Sequence, residues 1–143
     1  EERERLERRA PDNVRFVGYM DESEKKRRLG EARALLFNAM NEDFGMIPVE
    51  AFASGTPVLG VEEGYTKYQI RDGKNGYTHG PDAESIRSTV ERFDRDGVDW
   101  SEAEIQEYAE RYSAEAFRDG IREAVARAEE DATIEVRETE GDR

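Results

Sequence analysis

Apolar residues fall into short runs of different period, separated by densely charged stretches. Glu1 to Arg9 is polar and reads as the back half of a surface helix. After the turn signal Pro11-Asp12, Val14-Arg15-Phe16-Val17-Gly18-Tyr19 alternates and predicts a strand. Asp21 or Ser23 can cap a helix that runs to about Ala32. Ala34-Leu35-Leu36-Phe37-Asn38-Ala39 is a run of the kind found in buried parallel strands. Met46 to Ser54 is apolar on every side except Glu50, and Gly55 and Pro57 mark its stop. Pro57 to Val61 reads as the next strand, and the turn-rich Asp72 to Gly76 leads into a short one at Tyr77-Thr78. Pro81-Asp82 opens an amphipathic helix with Ile86, Val90 and Phe93 on one face. Helices over 101–112 and 114–130 follow.

Strand, helix and strand thus succeed one another between residues 34 and 61 with brief connections. Parallel neighbours need a crossover, usually a helix, so this order predicts a βαβ unit. The expected fold is α/β, a doubly wound, Rossmann-like parallel sheet closed by C-terminal helices. The expected division is one domain over 1–130 and a charged, disordered tail over 131–143.

Composition narrows the function. The 143 residues carry 35 acids against 22 bases, a net charge of −13. Such a field repels phosphate backbones and argues against nucleic acid as a partner. Only four of the bases are lysines (Lys25, Lys26, Lys67, Lys74), which looks like the surface of a protein from a salt-loving organism. An acidic interaction surface is the competing reading. The chain has no cysteine, hence no disulfide scaffold and no thiol nucleophile. No apolar run approaches the ~18 residues of a membrane span, and no signal-peptide pattern opens the chain. It begins at Glu1 without a methionine, which points to a fragment.

The informative stretch is Asn41 to Ala51. Pro48 is tolerated only in a first helical turn, so the helix begins near Gly45 or Met46. Phe44-Gly45-Met46 brings no capping hydroxyl, which leaves its amides, at the positive end of the helix, for an anionic or hydroxylated ligand. Gly45 would let that ligand approach closely. Glu42 and Glu50 can both face the crevice at the carboxyl end of the preceding strand. Taken singly, Glu42 also fits a surface acid and Glu50 a partly buried one held by local amides.

Glu42 and Glu50, with seven residues between them, lie in Glu-Asp-Phe-Gly-Met-Ile-Pro-Val-Glu-Ala-Phe-Ala-Ser-Gly-Thr-Pro-Val. This resembles the Glu-x7-Glu signature of family 4 nucleotide-sugar glycosyltransferases, the group 1 enzymes of GT-B fold. Val14 to Tyr19 resembles the family's Phe-x-Gly strand, Arg71 to Tyr77 its Asp-Gly-x-Asn-Gly hairpin, and Ser113 to Phe117 its Ser-x-x-x-Phe helix start. The resemblance spans 12 to about 127 and implies the donor-binding, C-terminal half of a GT-B enzyme. It implies that Glu42 serves catalysis by holding the donor sugar's hydroxyls and steadying charge at its anomeric carbon. Amides of Phe44, Gly45 and Met46 would contact sugar and diphosphate, Glu50 would clasp the ribose, and Tyr19 and Met20 would flank the nucleobase. It further implies transfer with retention, with a nucleotide-sugar as co-substrate, no other cofactor and no metal. The implied acceptor is a glycan or lipid-linked sugar, bound by an N-terminal acceptor domain missing here. The full-length enzyme would be cytoplasmic, with peripheral membrane association open to it.

The chain departs from the family in places. Asn38-Ala39 replaces a common Pro-Ser, and Gly64-Tyr65-Thr66-Lys67-Tyr68 stands where Gly-Gly-x-x-Glu is usual. Nothing at Glu1 to Ala10 resembles the basic segment that clamps the diphosphate. Lys67 or Arg71 could meet a phosphate. Two rivals remain at this level: a non-catalytic nucleotide-sugar-binding or assembly fragment that needs a partner chain, and another doubly wound module of receiver or flavin type.

Overall fold

The computed structural model describes residues 1–140, with side chains through Glu130. Three strands, β1 (Leu35–Phe37), β2 (Val58–Val61) and β3 (Gly76–His79), form one parallel sheet in the order β1-β2-β3. Leu36 aligns with Leu59, and Leu59 with Tyr77. The helices are α1 (Glu2–Arg9), α2 (Glu22–Glu31), α3 (Met46–Ala53), α4 (Thr66–Gln69), α5 (Ala83–Asp96), α6 (Glu102–Ala109) and α7 (Ala114–Glu140).

Local chemistry sets most of these boundaries. Asp21 accepts from the Glu24 amide at 2.8 Å to start α2, and Asp82 accepts from Ser85 at 2.9 Å to start α5. Ser101 and Glu104 form a reciprocal capping box at α6. Gly55, at φ +79°, ends α3 in the left-handed region that a side chain would penalise.

The alternating direction of side chains along β1 explains why both faces of the sheet are covered. Leu35 and Phe37 join Val58 in a core with Ala51 and Phe52 of α3 and Ile105, Tyr108 and Ala109 of α6. Leu36 and Leu59 face the opposite way, toward Val90 and Phe93 of α5. Phe52 is fully buried, edge-on to Tyr108 at 5.7 Å. Trp100 packs on the rim of this core, 5.4 Å from the Tyr108 ring. The doubly wound parallel α/β fold expected from the pattern is the fold observed. No described helix is long and apolar enough to cross a membrane.

Two elements differ from the sequence reading. Val14 to Tyr19 forms no strand, and Val14, Phe16 and Val17 are exposed. A strand needs a hydrogen-bonded neighbour, and this segment has none among the described residues; Gly18, at φ +70°, also turns the backbone out of the extended region. The last helix, read as ending at about Glu130, continues to Glu140. Its alanines, glutamates and arginines are strong helix formers. The end of the expected tail, 141–143, lies outside the described residues.

Candidate functional site

The loop from β1 to α3 leaves the carboxyl end of the sheet and carries most of the candidate residues. Glu42 Oε1 accepts from the amides of Gly45 at 2.9 Å and Phe44 at 3.4 Å. This corrects the expectation that those amides stand free: Glu42 caps the entry to α3. A carboxylate there is favoured by the helix dipole as well as by the two donors. The donors of this first turn left without an acceptor among the described residues are the amides of Met46 and Ile47, because Pro48 has none.

Gly45 is held at φ +76°, and a Cβ on it would lie 2.9 Å from Gln69 Oε1. The small residue therefore serves backbone conformation and packing against Gln69, where the sequence reading placed a close ligand. Gln69, fully buried on α4, donates through Nε2 to the carbonyls of Phe44 and Gly45. Gly64 fits the β2–α4 loop against the same segment. A Cβ there would meet the Glu42 carbonyl at 2.5 Å, and the neighbouring Tyr65 amide donates to that carbonyl at 3.0 Å.

Glu50 is half-buried on α3. Its Oε1 accepts from Lys25 Nζ at 3.0 Å, and Lys25 also reaches Glu22 at 2.9 Å. These two carboxylates, Glu22 first, hold the Lys25 ammonium above its ordinary pKa. Glu50 Oε2 is buried and has no hydrogen-bond partner among the described residues. A carboxylate oxygen in that position is costly unless something donates to it. Lys25 escaped the sequence reading because its partner lies 25 positions away, beyond any helical spacing.

The structure thus brings Glu42, Phe44, Gly45, Met46 and Glu50 together around the start of α3. Tyr19, 96% exposed, and Met20 precede α2 and make no side-chain hydrogen bond to these residues. His79 is buried at the end of β3, where its Nδ1 lies 2.7 Å from the Gly80 carbonyl oxygen.

The sequence matches the family described as "Glycosyl transferases group 1" over residues 1–119. The chain belongs to this family. It is 36% identical over 83 residues to a D-inositol 3-phosphate glycosyltransferase of Nocardioides sp., covering 54% of this chain and 18% of that protein. It is 34% identical over 71 residues to the alpha-1,3/1,6-mannosyltransferase alg2 of Schizosaccharomyces pombe, covering 50% of this chain and 14% of that one. Among solved structures it is similar to sucrose-phosphate synthase from Thermosynechococcus elongatus, with a TM-score of 0.61 and 25% identity over 76% of this chain and 27% of that chain. This group 1 glycosyltransferase chain therefore spans a fifth or less of the two curated relatives.

Proposed function

We propose that the chain is the donor-binding part of a retaining family 4 glycosyltransferase, which moves a sugar from a nucleotide-sugar to a glycan or lipid-linked acceptor. The observation that carries this reading is the orphaned Oε2 of Glu50 beside the open amides of α3. A vicinal diol such as ribose can donate to Oε2, while Lys25 fixes the other oxygen at 3.0 Å. The amides of Met46 and Ile47, at the positive end of α3, suit a phosphate or a sugar hydroxyl. Glu42 has one oxygen committed to the helix start and a second without a partner among the described residues, which leaves that one to receive a sugar hydroxyl. In this proposal Tyr19 and Met20 approach the nucleobase, and an acceptor-binding domain completes the cleft. The acidic, lysine-poor surface is read as adapted to high salt.

Titration of the chain with UDP-, GDP- and ADP-sugars in molar KCl, followed by ligand-observed NMR, tests the reading. Without the acceptor domain or a basic diphosphate clamp, the expected dissociation constant is about a millimolar, roughly −4 kcal/mol. No sugar transfer by the chain alone is expected, because positioning of two substrates supplies up to about 7–11 kcal/mol of barrier lowering in the best cases. Absence of binding by every nucleotide-sugar would leave the site a structural remnant; robust transfer by the chain alone would refute the need for a second domain.

A further inference from the structure

Gln69 reaches the backbone of the β1–α3 loop from a different element, α4, and is fully buried. Its Nε2 donates to the Phe44 carbonyl at 2.5 Å and to the Gly45 carbonyl at 3.2 Å. Its own backbone carbonyl accepts from the Tyr108 hydroxyl at 2.8 Å and from Asn75 Nδ2 at 3.2 Å, which ties α4 to α6 and to the turn before β3. The side-chain Oε1 has no hydrogen-bond partner among the described residues and faces Gly45. An amide buried with its oxygen unused costs stability, so what this residue contributes lies in its donor half. Four residues after Phe44 stands Pro48, which has no N–H to offer the Phe44 carbonyl, and Gln69 supplies that donor.

A trans peptide is planar, so its C=O and the N–H of the following residue point in opposite directions. Fixing the Phe44 carbonyl on Gln69 therefore sends the Gly45 N–H the other way, where Glu42 Oε1 accepts it at 2.9 Å. Fixing the Gly45 carbonyl likewise turns the Met46 N–H away from Gln69, and that amide has no acceptor among the described residues. Gly45, at φ +76° and ψ 68°, is the hinge between the two peptides and lacks the Cβ that would strike Gln69 Oε1. The rings of the loop do not replace this restraint. Phe44 stacks on Tyr65 at 5.5 Å and meets Tyr112 edge-on at 5.9 Å, which holds a side chain but leaves the peptides beyond it free to rotate.

We infer that Gln69 is a positioning residue of the nucleotide-sugar site: it holds the two peptides that set the Glu42 carboxylate and the Met46 amide in place, without touching the ligand. The inference rests on the nucleotide-sugar reading above and adds to it a residue outside the Glu42–Glu50 stretch. Gln69 directly follows Gly64 to Tyr68, the segment in which this chain departs from the family's pattern, so the signature itself does not point to it. Without its side-chain amide both peptides can turn. The Gly45 N–H then leaves Glu42 and the Met46 N–H loses its direction, so nucleotide-sugar affinity falls although no contacting atom has changed.

The test combines amide hydrogen exchange on the full chain, read by NMR, with titrations of UDP-glucose, GDP-mannose and ADP-glucose. In the unaltered chain the Gly45 amide should be protected, and the Met46 amide should exchange freely until a bound nucleotide-sugar shifts its resonance and protects it. Gln69→Met keeps the volume and removes both donors. Its Gly45 amide should exchange at least about tenfold faster, and its nucleotide-sugar affinity should fall at least about tenfold. Leu35, whose amide donates to the Pro57 carbonyl at 2.9 Å, should keep its protection, which separates a local change from a loss of the fold. Tyr108→Phe is the comparison, because it removes a hydrogen bond to the backbone of the same residue and leaves the side-chain amide alone. It should lower the melting temperature yet leave Gly45 exchange and nucleotide-sugar affinity as they were. Equal affinity of Gln69→Met and the unaltered chain, unchanged Gly45 exchange, or equal losses in Tyr108→Phe would each overturn the inference and return Gln69 to a purely structural role. If Gln69→Met does not fold, Met46 decides: protection of its amide without ligand, or no shift on adding the nucleotide-sugar that binds, overturns the inference. Absence of binding by the unaltered chain would overturn the nucleotide-sugar reading and this role with it.

Discussion

In the Glu50→Gln variant a carboxylate gives way to an amide of nearly the same shape, so charge changes while volume does not. Oε2 is the carboxylate oxygen left without a partner among the described residues, because Lys25 occupies Oε1 at 3.0 Å. A hydrogen bond to a charged acceptor is worth about 1.5–3 kcal/mol and one to a neutral acceptor about 0.5–1.5, so the exchange costs about 1–1.5 kcal/mol of nucleotide affinity. That is roughly a tenfold rise in dissociation constant. Stability should move little. The partly exposed pair with Lys25 contributes at most about 1 kcal/mol, and Lys25 keeps its second carboxylate partner, Glu22, in the variant. The assay is a nucleotide-sugar titration of both proteins by ligand-observed NMR, alongside thermal melts. One kcal/mol corresponds to about 2–8 °C in a domain of this size. Unchanged affinity, or a large fall in melting temperature with no separate effect on binding, would show that Glu50 is a structural acid and refute the reasoning.

Three further outcomes are expected. Phe52→Ala removes a fully buried ring from the small core shared by α3 and α6 and should cost about 3–5 kcal/mol, read from urea unfolding; a loss under about 1 kcal/mol would contradict the packing. With a net charge of −13, the melting temperature should climb from low to molar KCl, and a flat or falling midpoint would remove the high-salt reading. Hydrogen bonds from Ser101 hold Glu104 below its usual 4.5, as Arg27 does for Glu24 and Arg95 for Asp96. Each is depressed in the fold, so its stabilisation is present above the ordinary carboxylate pKa and lost as pH falls through the folded value. Melts from pH 6 to pH 3 should fall progressively, and Glu104→Gln should flatten part of that slope.

Much of the candidate site was legible because its residues are close in sequence. Pro48 placed the start of α3, Gly55 its end, and the spacing of Glu42 and Glu50 the functional signature. Local rules of capping and proline geometry operate over a few residues, so one sequence suffices to read them. The same holds for α2 and α5, whose openings at Asp21 and Pro81-Asp82 were visible before any packing was known.

Packing decided what those residues do. The sequence shows Glu42 three positions before Gly45, but only the folded loop turns its carboxylate onto the Phe44 and Gly45 amides. Lys25 reaches Glu50 from another helix, and Gln69 holds the same loop from α4. Tyr65, Tyr68 and Tyr112 become one aromatic wall only when α4 and the segment after α6 meet beside Phe44. The converse case is Val14 to Tyr19, where the alternation is real but a strand requires a partner, and pairing is not a property of one segment. Periodicity and caps are local and were determined by the sequence itself; pairing, ion-pair choice and cleft walls depend on residues far apart in the chain, which only the tertiary structure brings within a few ångströms of each other.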